Sequence, residues 1–151
     1  MELAEHIELI EVPFVRRAHC PIWVDPDSIR PFSVKQKHLG ERTDEKLNEG
    51  ISVFLETDEE KIARLLEMAL KDEVPVDMNS KSLQGEESSP RLLLVYKMGC
   101  CVGYFSQRSL NRDGDYHYGS WCETSYLAIA LKSYADGFWR VCSCYPRRPV
   151  R

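Results

Sequence analysis

The chain has 151 residues, 43% of them hydrophobic and 29% charged, with a net charge of −4. At this length roughly 70% of the unfolded surface can be buried, enough for one hydrophobic core, and the composition excludes wholesale disorder. No apolar run approaches the roughly 20 residues that cross a bilayer. The N-terminal MELAEHIELIE carries acids where a secretory leader carries Lys or Arg. The expectation is an intracellular, cytoplasmic protein with no membrane partner.

Residues 6–17, HIELIEVPFVRR, place Ile7, Leu9, Val12 and Phe14 in rough alternation, which predicts a strand. Pro13 lacks an N–H and marks that strand as an edge or bent one. Pro21, Pro26 and Pro31 break any long element over residues 18–50. Trp23, Ile22, Val24, Ile29 and Phe32 still need burial, so this is a packed loop region. Ile51–Leu55 reads as a short strand.

A helix is predicted over 57–71. Thr57 with Glu60 forms a capping box, and three acids suit the positive end of the dipole. Ile62, Leu65, Leu66, Ala69 and Leu70 fall on one face, and Pro75 stops the helix. Residues 78–90 read as a mobile loop. Strands are predicted near 91–97 and 101–106, joined as a hairpin around Met98-Gly99-Cys100. Residues 106–119 read as a polar loop. A second helix is predicted over 121–136, from a Ser120/Glu123 capping box, a Leu127, Ala130, Leu131, Tyr134 stripe and Gly137 as C-cap. A last strand follows at 138–145, then a basic tail at 146–151. The expected fold is one α+β domain over 1–151. It has a mainly antiparallel sheet of about five strands with two packed helices.

Charge is split along the chain. Residues 1–90 hold 11 Lys and Arg against 20 Asp and Glu; residues 91–151 hold 9 against 4. An acidic and a basic region of this kind can steer a charged partner. The tail supplies Arg140, Arg147, Arg148 and Arg151 with no acid between them, a pattern that contacts phosphates or an acidic surface.

Six cysteines occur, without a C-x-x-C pair. Cys142 and Cys144 alternate in a strand and are expected on one face. Cys122, Cys142, Cys144 and His117 are the set from which a metal site would be built, but buried core cysteine is the expectation, with no metal and no cofactor. Within the predicted second helix, Cys122 sits in the first turn, where the dipole favours the thiolate. GSWCETS resembles the helix start of a cysteine hydrolase. That resemblance implies Cys122 as nucleophile with an imidazole as base, either His117 or His19. The order Arg16/Arg17, Ser52, Glu123 resembles that of ADP-ribosyltransferases. By that resemblance Arg17 and Ser52 would hold NAD and Glu123 would orient the attacked ribose. The strand reads Ser52-Val53-Phe54 in place of that family's Ser-Thr-Ser.

Aromatics crowd the second half, and with the basic balance they would suit stacking on single-stranded nucleic acid. Tyr104, Arg108, Arg112, Tyr116, His117, Tyr118 and Trp121 gather around one polar segment. Tyr, Trp and Arg are typical anchors for a protein partner. No Walker loop, G-x-G-x-x-G, H-E-x-x-H or G-x-S-x-G is present. The leading expectation is a small protein-interaction domain of inhibitor, immunity or accessory-regulator type, without catalysis. An ADP-ribosyltransferase-like or cysteine-dependent enzyme is the first alternative, and a nucleic-acid-binding module the second.

Overall fold

In a computed structural model, residues 9–13, 22–29, 36–81, 90–110, 112–134 and 136–150 are described. Their strands are β1 (Ile10–Glu11), β2 (Trp23–Val24), β3 (Val53–Phe54), β4 (Asp77–Lys81) and β5 (Arg91–Lys97), followed by β6 (Gly103–Leu110), β7 (Tyr116–Thr124), β8 (Tyr126–Ser133) and β9 (Trp139–Arg147). Helix α1 is Asp44–Glu49 and α2 is Glu59–Asp72. Six strands form one sheet in the order β1-β2-β9-β8-β5-β4, and three form another, β3-β6-β7. Neighbours are antiparallel except β2 and β9, which are parallel. The broad expectation of mixed helix and sheet holds; the sheet content is larger than expected and divided in two.

Helix α2 forms where its periodicity places it. Its N-cap is Asp58, whose carboxylate accepts from the Glu60 N–H, one residue later than the Thr57 box. Glu56 caps the approach by accepting from the Thr57 and Asp58 N–H groups. Ile62, Ala63, Leu66, Ala69 and Leu70 are buried. They share a core with three sheet rows set by register: Leu92–Leu131–Val141, Leu94–Ile129–Cys144, and Tyr96–Leu127. Each fully buried Leu or Ile there contributes about 1.5–3 kcal/mol. Val95, Ala128 and Tyr145 form a row on the opposite face of the same sheet.

The predicted helix at 121–136 is instead the end of β7 and all of β8. Leu127, Ile129 and Leu131 alternate, and Ala128 between them is also fully buried. A run buried on both faces is a central strand, and β5 and β9 supply its two ladders. Gly137 does adopt the positive φ of a C-cap, at 85°, but it turns β8 into β9. The hairpin expected at Met98-Gly99-Cys100 is not one: β5 pairs with β8, whereas β6 pairs with β7 in the other sheet. The loop expected at 106–119 is largely β6 and β7. Helix α1, unanticipated, is capped by the Thr43 hydroxyl and closed by Gly50 at φ 73°. Strand 51–55 shrinks to β3, and the strand expected at 6–17 appears as β1, with residues 6–8 and 14–17 outside the described residues. The loop expected at 78–90 opens as the edge strand β4, with 82–89 outside the described residues. The basic tail begins inside β9, which runs through Pro146 and Arg147.

Two corners join the sheets. Between β5 and β6, the Met98 N–H donates to the Ser125 carbonyl and the Val102 N–H to the Thr124 carbonyl, both at 2.8 Å. Between β7 and β8, the Thr124 hydroxyl donates to the Arg147 carbonyl at 2.6 Å and accepts from the Tyr126 N–H at 3.1 Å. Gly103 of β6 lies against Pro146 of β9 in the other sheet. A Cβ there would collide with the Val53 carbonyl oxygen and lie 2.5 Å from Pro146 Cγ.

Candidate functional site

Strands β6 and β7 form a long hairpin that carries most of the proposed anchors. Register places Tyr104 opposite Glu123, Ser106 opposite Trp121, Arg108 opposite Tyr118, Ser109 opposite His117 and Leu110 opposite Tyr116. A bulge at Gln107/Arg108 increases the local twist. Arg112 lies in the turn, where Gly114 has φ 87°. β3 pairs only with Gly103 and Tyr104. Beyond them, among the described residues, the hairpin is a ribbon of two strands. Arg108, Arg112 and His117 are exposed, and Trp121 is half-buried. Helix α1 packs against both strands, and the Arg42 guanidinium sits 3.8 Å over the Tyr104 ring, a cation–π contact.

Among the described residues, the enzyme candidates do not converge. Cys122 lies in a strand, so no helix dipole acts on its thiol. Its Sγ is 3.5 Å from the Gln107 side-chain oxygen. His117 is on the same strand, and their β6 partners, Ser109 and Phe105, are four residues apart. That separation is about 13 Å along the ribbon, beyond thiol–imidazole contact. Arg17 and His19 are outside the described residues. Ser52 precedes β3, while Glu123 lies two strands away on β7 and is exposed. Two strand spacings are about 10 Å, and the cleft that Ser52 lines does not include Glu123.

Ser52 belongs instead to a cleft of about 400 Å³. Its walls include His38, Ser52, Phe105, Ser106 and Tyr145, with Lys37, Glu49, Arg147 and Arg148 also lining it. His38 is 7% exposed and stacks on Tyr145 with centroids 5.3 Å apart. Its Nδ1 is 2.7 Å from the Ser52 carbonyl oxygen and 3.3 Å from Ser52 Oγ. A carbonyl only accepts, so Nδ1 carries hydrogen and donates. That nitrogen is therefore no base for the Ser52 hydroxyl, and the pair is not a hydrolytic dyad. Ser106 is 3% exposed, and its hydroxyl has no hydrogen-bond partner among the described residues. Burial pushes the Tyr145 phenol up, and the Arg147 charge opposes part of that shift.

The cysteines separate by environment. Cys142 is exposed and Cys144 buried, although alternation predicts one face for both. The register slips between Ala130 and Leu131, and Cys142 is the residue skipped on β9. The bulge turns it outward. Cys100 is exposed, and Cys101 and Cys122 are half-buried. Among the described residues no group of three His, Cys, Asp or Glu is placed to hold a metal ion. No described helix is long and apolar enough to cross a membrane.

The cleft was missed because its walls come from four separate segments. Its local signals were a lone His in a polar stretch and a Ser at a strand start, neither of which says what it will face. Comparison of the chain with protein families, characterised proteins and solved structures finds no match.

Proposed function

We propose that this chain is a small intracellular protein-interaction domain, of inhibitor, immunity or accessory-regulator type and without catalysis, that docks through the β6–β7 ribbon. The ribbon itself is the observation that carries the reading. A two-stranded hairpin is marginally stable alone in water, and open strand edges pair readily with other chains. Beyond Tyr104 the ribbon pairs with no third strand among the described residues. A partner that adds a strand there gains main-chain hydrogen bonds. Arg108, Arg112 and His117 supply charge for an acidic partner surface, and Trp121 supplies an aromatic anchor.

The test compares capture from native lysate by the natural chain and by Arg108→Glu/Arg112→Glu. Both positions are exposed, and circular dichroism checks that the variant keeps its fold. One protein retained stoichiometrically by the natural chain, and at least tenfold less by the variant, is the expected result. Equal capture by both, or no stoichiometric partner, would overturn the proposal.

A further inference from the structure

We infer that β4, the outer strand of the six-stranded sheet, is a self-pairing edge at which two copies of this chain join antiparallel about a two-fold axis. This surface is separate from the ribbon, whose strands belong to the other sheet.

The edge is open and unguarded. β4 pairs with β5 through all of Asp77–Lys81 without a register shift, and among the described residues no strand covers its other side. An outer strand presents a row of main-chain N–H and C=O groups, which proteins commonly block with short length, a proline, a bulge or charge. At the opposite edge of this sheet, β1 is two residues long. β4 has five residues, Asp77-Met78-Asn79-Ser80-Lys81, with neither a proline nor a bulge. Its ladder reaches one residue further back, where the Val76 N–H donates to the Val95 carbonyl at 2.7 Å. Val74 and Val76, which lead into the strand, are 42% and 52% exposed. Met78 packs against the core. By alternation Asp77 and Asn79 lie on the other face, where the Asn79 amide donates to the Asp77 carboxylate at 3.0 Å.

Charge names the occupant. β4 carries one acid and one base, at opposite ends. Antiparallel pairing centred on Asn79 sets Asp77 opposite Lys81 of the partner subunit, at both ends of the pair. Opposite charges directly across an antiparallel pair attract, and like charges repel. Parallel pairing in register would set acid against acid and base against base. The same two residues therefore favour one arrangement and penalise the other. The two-fold axis consumes the β4 edge of both copies, so growth there stops at two. A single strand pair is a small interface, which places the dimer in the weak class.

The experiment is sedimentation equilibrium of the full chain from about 5 to 500 µM at low salt, on the natural chain, Asp77→Lys, Lys81→Asp and an equimolar mixture of the two variants. A reductant keeps the exposed Cys100 and Cys142 thiols from cross-linking. The natural chain is expected to dimerise with a Kd of about 10–100 µM. Each variant alone sets like charges across both ends and is expected to dimerise at least tenfold more weakly. The mixture restores opposite charges at both ends and is expected to associate within about threefold of the natural chain. Hydrogen exchange of the natural chain at the two concentration limits needs no variant, and amides of β4 are expected to slow as concentration rises. A natural chain monomeric throughout, whether or not another protein strand binds at β4, would overturn the proposal. So would a dimer undiminished in either variant, a mixture of folded variants that associates no better than each alone, or concentration-dependent slowing that leaves β4 unchanged.

Discussion

Replacing Gly103 by Ala tests the junction between the two sheets. In an ordinary strand, Gly→Ala is stabilising by about 0.5–1 kcal/mol, because Gly loses more backbone entropy on folding. At Gly103 the added methyl meets the Val53 carbonyl oxygen and lies 2.5 Å from Pro146 Cγ. One neighbour is backbone and the other a stiff ring, so relief requires β3 or β9 to move. Overpacking of this kind costs about 1–3 kcal/mol, which outweighs the entropic gain and leaves a net loss of about 1–2 kcal/mol. For a chain of this size that lowers Tm by about 2–8 °C. Gly99 is the control. A Cβ there meets nothing within 4 Å and its φ is not positive, so Gly99→Ala is expected to leave Tm unchanged or slightly raised. Thermal unfolding followed by circular dichroism reads both. A Gly103→Ala protein at least as stable as the natural chain would refute the close approach, and with it the junction.

Thr124→Val removes the hydroxyl that bonds the Arg147 carbonyl and the Tyr126 N–H, and denaturant unfolding should show a loss of about 1–3 kcal/mol. Tyr96→Phe has the opposite sign: the buried Tyr96 hydroxyl has no partner among the described residues, so its removal should stabilise by about 1 kcal/mol in the same assay. Burial pushes the Cys144 thiol up to about 12, so iodoacetamide followed by peptide mass analysis should label exposed Cys100 and Cys142 first and Cys144 only on unfolding. The Arg140 hydrogen bond and the Phe138 N–H hold the Asp136 carboxyl below its ordinary value. Its contribution is complete above the unfolded carboxylate pKa and lost as pH falls through the lower folded one. Asp136→Asn should therefore flatten the acid limb of a Tm-against-pH curve.

What could be read from sequence follows from how local each signal is. Helix α2 was legible because its caps and stripe lie within one segment, and Pro75 closes it. Leu127, Ala130, Leu131 and Tyr134 fit a helical period equally well as text. Leu127, Ile129 and Leu131 also fit a period of two, and only the flanking β5 and β9 decide between them. Gly99 suggested a tight turn, but β5 finds its partner in β8, whose paired residues lie 29 to 41 positions on. The anchors at 104–121 were found as a group because they lie close in sequence, although all but Arg112, which lies in the turn, sit on paired strands. The cleft had no such advantage: His38, Ser52, Ser106 and Tyr145 meet only after both sheets form.

Docking through the ribbon is tested most directly by hydrogen exchange on the complex with the captured partner. Amide exchange should slow on partner binding in β6 and β7, most of all along β7, with the six-stranded sheet unchanged. Slowing confined to the edge strand β4, to α2 or to the cleft residues, with β6 and β7 unaffected, would contradict it.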